Sequence, residues 1–187
     1  MLLLKKKLSG GSKFDCLHYS QLLWYWDTSL AFEEYNNGNK VPAMMYFQIA
    51  PWQFNYVFQN KGMTKMTGMK KEDLTSSERD SGVVWTCFER GDVKGIFCGY
   101  DGKNSYTGSY LDMLLGACPT IGAGSDEETA GARVVTLSRN GAKMESSMIY
   151  LGDLFDLQIS VDKTVFAQGG DIKVHYAGLA ASEKNKD

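Results

Sequence analysis

Histidine and proline are scarce, at two and three residues among 187. Two histidines leave little room for a histidine-rich metal site. The four cysteines, Cys16, Cys87, Cys98 and Cys118, form no C-x-x-C pair, which argues against a zinc ribbon or a thioredoxin-like redox site. No stretch approaches the ~20 apolar residues that span a bilayer. Neither sign of charge dominates: 20 Lys and Arg face 22 Asp and Glu, for a net charge of -2. That balance offers no basic footprint for nucleic acid and none for an anionic membrane. No N-x-S/T sequon occurs.

Glycine and aromatics are plentiful. Twenty Gly, ten Tyr, nine Phe and four Trp favour β structure with many tight turns. Apolar residues make up 43% and charged residues 22%, which permits a packed core. The length suits one domain with small appendages. The fold expected is mainly β, of α+β type: an antiparallel sheet or β-sandwich, an N-terminal helix and extended arms. Residues 1–13 read as an arm, 14–178 as one domain and 179–187 as a polar tail. The opening Met1-Leu2-Leu3-Leu4-Lys5-Lys6-Lys7 reverses the charge order of a secretory signal, and free thiols in a reducing cytoplasm are expected.

Several elements can be placed. Asp15 is a candidate cap for a helix through about Tyr35, with Asn36-Asn37-Gly38 as its stop and Leu22, Trp26 and Leu30 as its stripe. Trp52, Phe54, Tyr56 and Phe58 alternate with amides and predict a strand. Residues 60–82 read as a long polar loop. Val83–Phe88 and Val93–Tyr100 are expected to form a hairpin around Glu89-Arg90-Gly91-Asp92. A second hairpin is expected from Arg133–Ser138 and Met144–Leu151, around Asn140-Gly141. The closing strands expected are Phe155–Val161, Thr164–Ala167 and Ile172–Tyr176.

Candidate chemistry is thin. Gly122-x-Gly124 lacks the third glycine of a dinucleotide loop and the lysine of a P-loop, and carries Asp126, Glu127 and Glu128 where a phosphate would sit. Those acids lack EF-hand spacing. His18 and His175 accompany no nucleophile motif. Arg90-Gly91-Asp92 matches an integrin tripeptide but is also ordinary turn chemistry. Trp52–Tyr56 could stack sugars, so a glycan is a possible ligand. No cofactor, no metal and no enzymatic activity are expected.

The segment Ile159-Ser160-Val161-Asp162-Lys163-Thr164-Val165-Phe166-Ala167-Gln168-Gly169-Gly170-Asp171-Ile172-Lys173-Val174-His175-Tyr176 resembles the opening strands of bacterial immunoglobulin-like domains of the BACON type. Such domains occur on surface proteins and resemble domains that decorate phage virions. The resemblance implies a structural role. The function expected is a self-assembling virion component, such as a bacteriophage capsid, connector or tail protein, with a carbohydrate-binding or adhesion module as the alternative. It would be made in a host cytoplasm and reside in the virion. Homo-oligomers and other structural proteins of the particle are the expected partners. The expected interface comprises Leu2, Leu3 and Leu4 of the arm and Met63, Met66 and Met69 of the loop, apolar residues in segments too polar to build a core.

Overall fold

The chain begins its described course on a helix. In the computed structural model, residues 14–122, 125–126, 128–138, 140 and 143–154 are described, with the backbone of two further strands at 158–161 and 174–177. Helix α1 runs Tyr19–Tyr35. Its cap is His18 rather than Asp15: the His18 carbonyl accepts the Gln21 and Leu22 N–H groups, and the Gln21 side chain accepts the His18 N–H at 2.8 Å. The expected stop holds, with Asn37 and Gly38 at φ 55° and 77°. The inward stripe is Leu22, Tyr25 and Ser29, rotated from the expected one, and Leu30 is exposed.

Strand β1 (Ala43–Phe47) follows, then helix α2 (Gln53–Gln59) and helix α3 (Val83–Arg90). Both helices were expected as strands. In α2, Phe54 and Val57 are wholly buried three residues apart, a helical spacing that the alternating aromatics hide. In α3, Val83, Val84, Cys87 and Arg90 face inward, and glycines in left-handed conformation stand at both ends, Gly82 at φ 76° and Gly91 at φ 73°. Gly91 therefore ends a helix instead of turning a hairpin.

Strands β2 (Val93–Cys98), β3 (Thr107–Tyr110) and β4 (Met113–Ala117) complete a four-stranded sheet of order β1-β2-β4-β3. β1 pairs with β2 and β2 with β4 in parallel, and only β3 with β4 is antiparallel. The α+β class stands, while this sheet is mostly parallel where an antiparallel one was expected. A helical crossover, unlike a hairpin, returns the chain in the same direction, and α2 and α3 provide one between β1 and β2. β3 and β4 are joined by Leu111 and Asp112 at φ 49° and 57°, a tight two-residue turn built without Asn-Gly.

One sheet face carries Met45 and Phe47 of β1, Ile96 and Cys98 of β2, and Met113, Leu115 and Ala117 of β4. It packs on Leu17, Phe54, Val57, Val84 and Cys87. Strands β5 (Gly131–Leu137) and β6 (Met144–Tyr150) form the expected antiparallel hairpin, which approaches the other face. A Cβ at Gly95 would meet the Met144 sulfur at 2.7 Å and the Leu114 carbonyl oxygen at 3.0 Å, so a side chain there would have to push Met144 aside. Arg133 of β5 donates to the Ala117 carbonyl at 3.1 Å. A four-residue helix α4 (Leu151–Leu154) precedes β7 (Gln158–Val161) and β8 (Val174–Ala177), which pair antiparallel. The immunoglobulin-like segment and Phe166 fall largely outside the described residues, as do residues 1–13 and 179–187.

Candidate functional site

Three parallel strands end on one rim, at Phe47, Cys98 and Ala117. The crevice outside the carboxyl ends of parallel strands is where open α/β sheets place ligands. After β2 the chain runs Gly99-Tyr100-Asp101-Gly102-Lys103-Asn104. Tyr100 sits at φ 71°, a left-handed conformation unusual for tyrosine, and its ring meets Phe14 edge-on at 5.0 Å.

The polar side chains of this loop point into the protein. Asp101 accepts the Thr75 N–H at 2.7 Å. Asn104, wholly buried, accepts the Lys71 and Glu72 N–H groups at 2.9 and 3.2 Å and donates to the Glu72 carbonyl at 3.1 Å. Glu72 in turn accepts the Lys103 N–H at 2.9 Å. Together they pin residues 71–75 across the rim. Burial raises the Asp101 pKa above the ordinary carboxylate range, a shift that the Thr75 hydrogen bonds oppose and the Glu72 charge reinforces.

A second brace lies beside β1. Asp80 accepts the Trp52 indole N–H at 2.8 Å, the Gln53 amide at 3.2 Å and the Gly82 N–H at 3.0 Å. Between it and Asp15-Cys16-Leu17 lies a cavity of about 30 Å³, room for one water and not for a substrate. Asp15 pairs with His18 Nε2 at 2.9 Å. The side-chain oxygens of Gln48 and Gln53 are buried without a hydrogen-bond partner among the described residues. At the far side Lys71 pairs with Glu128 and, at 3.6 Å, with Asp126. Glu128 raises the Lys71 pKa.

The carboxylates of the rim thus sit in separate hydrogen-bond sets. Among the described residues no three His, Cys, Asp or Glu side chains gather where they could hold a metal ion. The described residues do not fit a metal centre.

The residues expected to matter lie elsewhere. Of the expected interface methionines, Met63 is exposed, Met66 packs on the core and Met69 is half-buried. Leu2, Leu3 and Leu4 lie outside the described residues. Arg90 and Asp92 are buried, which removes the exposed tripeptide. The sugar-stacking strand does not exist, since Gln53 and Phe54 are buried in a helix. Sequence reasoning missed Asp101 and Asn104. Their signal is two acceptor side chains among glycines directly after an apolar strand, just beyond the expected strand Val93–Tyr100.

No family model and no solved structure matches the chain. Two plant proteins of Arabidopsis thaliana do. The chain is 34% identical over 125 residues to one named probable inactive purple acid phosphatase 14, a match covering 63% of this chain and 30% of that one. It is 33% identical over 108 residues to one named probable inactive purple acid phosphatase 29, covering 54% of this chain and 27% of that one. The chain thus spans less than a third of the length of these relatives. These findings overturn the expected bacteriophage virion component, its adhesion alternative and its virion location. The chain is similar over part of its length to these two plant proteins. The physical reason for the error is that polar loops and missing motifs, which suggested a particle component, equally describe a scaffold whose polar side chains brace loops.

Proposed function

We propose that this chain is a segment of a purple acid phosphatase-like protein that keeps the rim of a phosphoesterase-like sheet and does not hydrolyse phosphomonoesters. One observation carries the reading: just past the carboxyl end of the central parallel strand, Asn104 commits both its oxygen and its amide nitrogen to the backbone of Lys71 and Glu72, and Asp101 accepts the Thr75 N–H through one carboxylate oxygen. A general base or a metal ligand must present its lone pairs to the reacting centre. Here the Asn104 oxygen and one Asp101 oxygen face amide N–H groups. The similarity to two proteins named inactive supports the same reading.

The test is release of p-nitrophenol from p-nitrophenyl phosphate by the full chain, from acid to neutral pH, with and without added divalent metal ions. The expected rate is that of buffer with metal. Saturable turnover above that rate, abolished by Asp101→Ala, overturns the proposal.

A further inference from the structure

Between helices α1 and α3 runs an open groove of about 630 Å³, lined by Tyr19, Leu22, Leu23 and Trp26 of α1 and by Trp85 and Glu89 of α3. A hollow of that size accepts a ligand or a short peptide segment. Tyr19 is 79% exposed and Trp85 48% exposed, and Leu23 is exposed as well. Trp85 meets the Phe88 ring edge-on at 5.9 Å, which extends the apolar wall. Aromatic and leucine side chains gathered in one exposed groove mark an interaction surface, unlike apolar residues scattered singly.

The charge of the groove walls has one sign. α1 carries Asp27, Glu33 and Glu34 and no basic residue. α3 carries Glu89 and Arg90, and Arg90 is buried and paired with Glu33. Asp27 and Glu89 make no ion pair among the described residues. Such a groove suits an occupant that is apolar and cationic, since both a carboxylate and an indole face attract a cation. The groove also continues in one direction. A second hollow, lined by Asp15, Cys16, Leu17 and His18, shares Tyr19, Leu22 and Ser81 with it. The surface thus runs without a break from Trp26 to Asp15, next to the first described residue, Phe14. At this mouth Arg79 and Asp80 offset each other.

We propose that residues 1–13 of this chain fold back along this surface, seating Leu2, Leu3 and Leu4 in the groove of Trp26 and Trp85 with Lys5, Lys6 and Lys7 toward Glu89 and Asp27. Three observations select this occupant. Residues 1–13 hold four leucines, four lysines and no acid, the chemistry the groove calls for, whereas the tail 179–187 mixes both signs of charge with one leucine. They join the described chain at the mouth of the surface. They are also long enough: residues 7–13 reach about 23 Å when extended, against the roughly 10 Å that α1 rises from Tyr19 to Trp26. Ser9-Gly10-Gly11-Ser12 supplies residues that accept the turn back. A segment tethered this closely acts at an effective concentration of ~1 mM, so a contact with a dissociation constant of ~0.1 mM keeps it seated about ten to one. The interface expected at Leu2, Leu3 and Leu4 is then within the chain.

The test uses the full chain. The photoreactive residue p-benzoylphenylalanine replaces Leu3, and after irradiation the crosslinked peptides are mapped by mass spectrometry. Crosslinks to residues 19–26 and 83–89 of the same chain are expected. Trypsin cleavage after Lys5, Lys6 and Lys7 is timed in parallel, with cleavage after the exposed Lys65 as the internal reference. Glu89→Lys and Trp85→Ala, both on the exposed wall, should speed cleavage in residues 5–7 about tenfold, the factor set by ten-to-one seating, and leave Lys65 unchanged. Leu3→Asp with Leu4→Asp alters only the segment and should give the same gain, so the result does not hang on the folding of a groove variant. Glu89→Lys should cut the crosslink yield, and Lys5→Glu, Lys6→Glu and Lys7→Glu added to it should restore the yield. Crosslinks to another surface, or none, overturn the proposal, as does cleavage that no variant changes. Crosslinks between an isotope-labelled and an unlabelled copy overturn it too, because the groove then receives the segment of a second chain.

Discussion

Asp92 shows how much one buried side chain can organise. It is 4% exposed and accepts hydroxyl hydrogen bonds from Tyr25 and, at 2.5 Å, from Ser29, both on α1. Burial, aided by the bond to Asp92, raises the Tyr25 pKa. Asp92→Ala strands both hydroxyls and should cost about 3 kcal/mol in urea unfolding, whereas Tyr25→Phe should cost about half that. Asp101 is raised by burial too, and this makes its contribution depend on pH. Its folded-state pKa lies above its unfolded value, so the folded protein takes up this proton first as pH falls. The group's contribution to stability therefore grows as pH drops through the carboxylate range and is lost as pH rises through the folded-state pKa. Asp101→Asn keeps an acceptor for Thr75. It should raise the melting temperature at neutral pH, and the gain should vanish below about pH 4, where the unfolded carboxyl is also protonated. An equal gain at both pH values refutes the desolvation argument.

At the scale of elements, α2 decides between two periods. As a strand, Phe54 and Val57 would lie on opposite faces; as a helix they share one. Both are wholly buried, while Trp52 is 43% exposed. Phe54→Ala should cost about 3–5 kcal/mol. Val57→Ala should also destabilise clearly, and Trp52→Phe, which keeps bulk and loses the bond to Asp80, should cost only about 1 kcal/mol. Thermal melts of the three variants check this order. Equal costs for Trp52 and Phe54 would restore the strand. How much of each element was legible follows from its local chemistry. Helix α1 was legible because its stop is local, in Asn36-Asn37-Gly38. The β5–β6 hairpin was legible because alternation persists on both sides of its turn. α2 and α3 are seven and eight residues long, too short for periodicity to separate a helix from a buried strand.

The whole molecule places its thiols in two classes. All four cysteines are free, and Cys87 and Cys98 are buried while Cys16 and Cys118 are half-buried. Burial pushes the Cys87 thiol up to about 12, with the Asp92 charge adding to it. Burial likewise raises Cys98 and Cys118, the latter opposed by Arg133. Since the thiolate is the reactive form, a maleimide should label Cys16 first. Cys87 on α3 and Cys98 on β2 line one core, so both should label only through global opening and at matching rates across a denaturant series. Mass spectrometry by residue reads this. Rapid labelling of Cys87 alone would mean that α3 opens independently of the sheet.

The sequence by itself determined what acts over a few residues: balanced charge, a helix ended by Asn36-Asn37-Gly38, a hairpin at 131–150, and the absence of familiar catalytic motifs. The direction of the sheet and the inward turn of Asp101 and Asn104 were decided only in the tertiary structure. Each depends on residues distant along the chain, as when Asn104 meets Lys71 and Glu72, or Asp92 meets Tyr25. A side chain's hydrogen-bond partner, and therefore whether it can serve chemistry or only hold a loop, is set by which backbone packing brings near. That information is absent from any local spacing of residue types.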